Sequence, residues 1–135
     1  MAILDSLGNY RNTGLLILRV GLGIMMIIHG FPKLAGGPAG WEGLGGSMNV
    51  VGINFLPMFW GFMGAAAEAV GGLFLILGLF FRPVNILLVF TMIIAALVHF
   101  GKGDGLGGAS HAIELGIVFF SLIFIGPGKY SIDKK

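Results

Sequence analysis

Four long apolar runs, roughly 13–30, 57–81, 84–100 and 109–125, make up most of this chain. A helix needs about 20 apolar residues to cross the ~30 Å of hydrocarbon in a bilayer. No water is available there, so each run must satisfy its own backbone, and a helix does that. The expected fold class is all-α: an integral membrane four-helix bundle, up-down, forming a single transmembrane domain over 1–135. Composition agrees, since 56% of residues are hydrophobic and only 10% are charged, whereas a soluble domain carries roughly a quarter charged residues. A net charge of +2 argues against nucleic acid as a partner, and the absence of cysteine excludes disulfides, thiolate metal sites and thiol redox chemistry by this chain. The polar start and the lack of a small-residue cleavage site predict an uncleaved first helix.

Proline and glycine set the expected ends. Pro32 is read as the stop of the first span, Pro57 as a first-turn residue of the second, and Arg82-Pro83 as a tight break before the third. Segment 101–108 is Gly-rich, and Gly126-Pro127-Gly128 closes the fourth span. Outside the spans, Arg11, Arg82, Lys129, Lys134 and Lys135 fall on one side, and Lys33 and Lys102 on the other. By the positive-inside rule both termini are expected in the cytoplasm. Connection 31–56 is Gly-rich but carries Trp41, Leu44, Met48, Val50, Val51, Ile53 and Phe55. It is expected as an interfacial or re-entrant segment folded over the bundle, either a lid or a plug.

Five ionisable residues interrupt the apolar runs: Arg19, His29, Glu68, His99 and Glu114. Such residues are costly in hydrocarbon and usually mark function or an obligatory pairing. At a rise of ~1.5 Å per residue, His29, Glu68, His99 and Glu114 come out about 20–24 Å above the cytoplasmic ends of their spans. His111 sits slightly higher, and Arg19 only about 9 Å up. Four helices are thus expected to deliver acids and imidazoles to one layer near the outer surface. Glu68, Glu114, His99 and His29 are the candidate catalytic residues; Arg19, His111 and Trp41 are candidate ligand-binding residues. The opposing expectation is that each carboxylate is satisfied locally, with no shared site. Gly64, Glu68 and Gly72 lie along one helical face, which reads as close packing that seals the carboxylate against a neighbour.

These residues together resemble the DoxX family of small bacterial membrane proteins, which is related to the DoxD subunit of thiosulfate:quinone oxidoreductase. The matching features are Leu18-Arg19, the run His29-Gly30-Phe31-Pro32-Lys33-Leu34, and Glu68 followed by Gly71-Gly72-Leu73-Phe74-Leu75-Ile76-Leu77-Gly78-Leu79. Arg82, His99 and Gly128-Lys129-Tyr130-Ser131-Ile132-Asp133 also fit. The resemblance implies four transmembrane helices in the bacterial cytoplasmic (inner) membrane and, for some relatives, membership of assemblies that deliver electrons to quinone.

The function expected from residues and resemblance together is a membrane redox subunit that binds quinone, or a similar small apolar ligand, at an outer-side polar pocket. An imidazole would donate to a carbonyl oxygen, and a buried carboxyl would relay a proton. Three other readings compete. One is a small proton-coupled transporter worked by Glu68. Another is a structural subunit in which Arg19 pairs with Glu68 or Glu114. The third is a haem or metal site using three His and two Glu, against which stands the order His111-x-x-Glu114, the reverse of the Glu-x-x-His of di-iron bundles. Expected partners are the lipid bilayer, a redox partner subunit and a second copy of the chain.

Overall fold

The computed structural model describes residues 2–133; Lys134 and Lys135, used above for orientation, lie outside them. Five α-helices follow in order: α1 (Arg11–Ala35), α2 (Gly37–Gly45), α3 (Pro57–Leu77), α4 (Phe81–Gly101) and α5 (Gly105–Ile125). Short 3-10 segments run over Ala2–Tyr10 and Gly46–Val51. Helices α1, α3, α4 and α5 are long and apolar enough to cross a membrane. At ~1.5 Å per residue a 21-residue helix is about 31 Å long, which matches the hydrocarbon thickness. Large apolar side chains such as Ile17, Phe90, Ile117 and Phe124 face outward on the flanks, where lipid replaces water as the solvent.

Two expected helix ends move. Pro32 lies inside α1, which continues to Ala35. A proline this close to a helix end forfeits one backbone bond, and the final turn absorbs the loss. Arg82-Pro83 is not the break before α4; both residues sit in that helix's first turn, where proline is tolerated. The chain reverses earlier, at Gly78 (φ 65°) and Phe80 (φ 47°). Gly78 N–H bonds the Leu75 carbonyl and Leu79 N–H bonds that of Phe74, the paired bonds of a Schellman ending.

The C-terminal tail fastens this end of the bundle. Ile132 and Asp133 donate their N–H groups to the Leu77 and Gly78 carbonyls, both at 3.0 Å. The Asp133 carboxylate accepts the N–H of Phe80 (3.2 Å) and of Phe81 (2.8 Å), satisfying donors at the start of α4. Asp133→Ala is expected to cost about 1 kcal/mol, the usual loss for an N-cap side chain; thermal melting in detergent measures it. Arg19, 1% exposed, spans the same region. Its guanidinium donates to the carbonyls of Leu75 (3.0 Å), Ile76 (2.7 Å), Pro127 (3.0 Å) and Tyr130 (2.8 Å). Beside it, Leu75, Phe81, Leu88, Phe119 and Leu122 form a tightly buried apolar core.

Glycine seams hold α1 and α2 against α3. A Cβ on Gly23 would stand 2.5 Å from the Gly72 carbonyl oxygen, and one on Gly72 2.6 Å from that of Gly23. Further along, a Cβ on Gly30 would stand 2.5 Å from Ala69 N and 2.7 Å from Glu68 Cβ. Helix α2 lies on α3 in the same way, with the Trp41 backbone against Gly61. Gly64, expected in a seam, instead has open space beside it.

Candidate functional site

At the end of the bundle away from the termini, α3 and α4 touch far less than α1 with α3 or α4 with α5. Between them runs a groove of about 920 Å³. Gly64, Ala67, Glu68 and Gly71 of α3 and Thr91, Ile94, Ala95 and Val98 of α4 line it, with Leu44, Ser47 and Met48 above. Met63, Val70, Leu87 and Phe90 also line it and are exposed on the flank of the bundle, so the groove opens sideways. Trp60 belongs to its wall, and among the described residues its buried indole Nε1 has no hydrogen-bond partner. An indole N–H can only donate, and this one is sealed away from the groove as well as from protein acceptors among the described residues.

A second cavity of about 180 Å³ lies on the inner side of this groove, with wall residues from all four spanning helices. Met26, His29 and Lys33 come from α1, Glu68 from α3, Met92, Ala95 and His99 from α4, and Gly108, His111, Ala112 and Leu115 from α5. The two spaces share Lys33, Glu68, Ala95 and His99. An apolar groove and a polar chamber therefore meet at one ion pair and one imidazole.

The ion pair is Lys33 Nζ to Glu68 Oε1 at 2.8 Å; the lysine side chain is 40% exposed and the glutamate 8%. Because α1 continues through Pro32, Lys33 stands one turn beyond His29 on the same face, and both reach the chamber. The glutamate stem lies against Gly30, where no side chain intervenes. Across the chamber, the His29 and His111 rings are 5.8 Å apart, tilted by 59°. His99 Nδ1 is 2.8 Å from Asp104 Oδ2 at the α4–α5 turn.

Of the residues singled out from sequence, Glu68, His99, His29 and His111 come together. Glu114 does not: it is exposed and lines neither cavity. Positions three apart on a helix differ by about 60° in direction. His111 thus reaches the rim of the chamber while Glu114 turns outward. Arg19 pairs with neither carboxylate, because backbone carbonyls at the opposite end occupy its guanidinium. Trp41 pins α2 in place: its Nε1 donates to the Leu34 carbonyl at 3.0 Å, and its ring meets Phe62 edge-on at 4.9 Å. Lys33, Trp60 and Asp104 were not singled out as site residues. The i, i+4 spacing of His29 and Lys33 was the available signal, hidden by reading Pro32 as a stop. Among the described residues, no three His, Asp or Glu side chains gather as a metal-ligand group.

The DoxX family model matches residues 14–101, from the start of α1 to the end of α4. The chain belongs to the DoxX family. Arg19, His29, Lys33, Glu68 and His99 fall inside the DoxX match, while His111 and Glu114 of α5 lie beyond it. Similar curated proteins include "Putative oxidoreductase CatD" of Bacillus subtilis (strain 168), 30% identical over 120 residues, covering 89% of this chain and 84% of that protein. "Inner membrane protein YphA" of Escherichia coli (strain K12) is 27% identical over 136 residues, covering 95% and 94%. No solved structure matches this DoxX protein.

Proposed function

We propose that this protein is a subunit of a redox system in the bacterial inner membrane and binds quinone, or a lipid-soluble ligand of similar shape, in the groove between α3 and α4. The carrying observation is that the apolar groove and the polar chamber share Lys33, Glu68 and His99 in their walls. A ring with an apolar tail and carbonyl oxygens needs such a container: a flank open to lipid and a few polar groups at one end. The groove volume falls within the ~300–1,000 Å³ of small-molecule sites. The Lys33 ammonium has three donors and spends one on Glu68, so it keeps donors for a ligand oxygen. The name of the Bacillus relative and the inner-membrane name of the Escherichia relative support the redox and membrane parts of this reading. Electrons would pass to or from a partner subunit, and the chamber would face the outer side of the membrane.

Photo-crosslinking with an azido-quinone in proteoliposomes tests it. Labelled peptides should come from the α3 and α4 walls of the groove, and excess decylubiquinone should suppress them. Labelling that excess quinone leaves unchanged would overturn the reading.

A further inference from the structure

The turn between α4 and α5 is organised around His99. Asp104 occupies the N-cap position of α5, where an aspartate ordinarily accepts an N–H of the first turn. Here its side chain makes no capping bond. Instead it is tied to His99 twice: its N–H donates to the His99 carbonyl at 3.0 Å, and its Oδ2 lies 2.8 Å from His99 Nδ1. Glycines make this possible. Gly103 (φ 80°) and Gly105 (φ 69°) bend the chain on either side. A Cβ on Gly108 would stand 2.5 Å from Asp104 Cβ and 3.4 Å from His99 Nδ1.

An ionised carboxylate can only accept hydrogen bonds, so the proton between the two groups belongs to Nδ1. In the neutral ring the other nitrogen, Nε2, then carries a lone pair and must accept. No protein partner for Nε2 is present among the described residues, and the ring lines both the groove and the chamber. The site thus presents an acceptor at His99 beside the donors of Lys33. A quinone carbonyl has no hydrogen to give that acceptor. A hydroquinone hydroxyl donates to it and can still accept from a donor.

We propose that Asp104 is a positioning residue that fixes the His99 tautomer, and that the site consequently binds the reduced, hydroquinone form of its ligand in preference to the quinone. The preference rests on the quinone-type ligand proposed above; the tautomer does not. Two measurements on the full chain in nanodiscs test the pair. Nitrogen-15 histidine NMR at alkaline pH, with His99 assigned by the His99→Gln spectrum, should show Nδ1 protonated and Nε2 bare. Asp104→Ala should shift the ring towards the Nε2–H form, whereas Asp104→Asn, whose amide oxygen still accepts from Nδ1, should retain the wild-type form. In parallel, decylubiquinol should bind about tenfold tighter than decylubiquinone, the scale of one mispaired polar contact. Asp104→Ala should abolish that difference and Asp104→Asn should keep most of it. An Nε2–H tautomer in the wild type, equal affinity for the two ligand forms, or a preference that survives in Asp104→Ala overturns the proposal. Failure of both ligand forms to bind overturns the quinone reading and with it the preference, while the NMR still decides what Asp104 does to His99.

Discussion

Arg19→Leu should unfold this protein more readily than any other single side-chain truncation described here. Four carbonyl oxygens lose a charged donor at once. Two of them, on Leu75 and Ile76, belong to the last turn of α3, where helical partners run out and Leu75 keeps only the Gly78 N–H. A cation is also favoured there by the helix dipole. Bonds to charged groups are worth about 1.5–3 kcal/mol each in soluble proteins, but membrane measurements run lower, and four bonds to one head are not additive. A net loss of about 3–5 kcal/mol is the expected size. Arg19→Lys should fall between the two, because a single ammonium cannot reproduce a fork that serves two helix carbonyls and two tail carbonyls. Denaturation in mixed detergent measures both variants. An unchanged midpoint for Arg19→Leu would show that water or lipid headgroups replace the guanidinium without penalty, and the structural role assigned to it would fail.

The second large effect concerns the four glycines of α1, which should divide into two classes. A methyl at Gly23 or Gly30 would collide with the α3 backbone, whereas one at Gly14 or Gly21 would meet nothing within 4 Å. Helices locked backbone to backbone cannot yield by turning a side chain, so Gly23→Ala and Gly30→Ala must push α1 away. Overpacking of this kind costs about 1–3 kcal/mol. Gly14→Ala and Gly21→Ala should be neutral or gain up to about 1 kcal/mol from helix propensity. Gly30→Ala carries a further consequence, since its methyl would lie against Glu68 and move the carboxylate relative to Lys33. It should therefore lower both the melting temperature and quinone protection against photolabelling, while Gly23→Ala lowers the first far more than the second. If all four substitutions behaved alike, the α1–α3 seam described here would be wrong.

The crossings were legible because membrane insertion leaves a long signature: a run of apolar residues matched to a fixed thickness. Proline was a poorer guide, since Pro32 and Pro83 lie within a turn or so of a helix end, where the missing N–H costs little. Depth was also legible, and counting the rise along each run brought Glu68, His29 and His99 to one level. Direction around the helix was harder to read. Glu114 belongs to an apolar run as surely as Glu68 does, yet α5 presents Gly108, Ala112 and Leu115 inward and leaves the carboxylate outside. Only the packing of neighbouring helices decides that, and a single periodic stretch does not contain it. Arg19 shows the same limit in another form. Sequence marks a charge in hydrocarbon as needing a partner, and a carboxylate is the obvious candidate, but helix ends offer carbonyl oxygens that no charge count reveals. Lys33 and Asp104 lie just outside the apolar runs, in segments where polar residues draw no notice.

The order in which Arg19 acquires its partners bears on how the protein is made. The arginine enters the membrane with the first crossing, and the carbonyls of Leu75 and Ile76 arrive only when the second crossing is complete. Those of Pro127 and Tyr130 follow only after the fourth crossing has left the ribosome. A polypeptide interrupted before that point holds a guanidinium in hydrocarbon with half its ligands missing. Quality-control proteases could tell such a fragment from the finished molecule by that single defect.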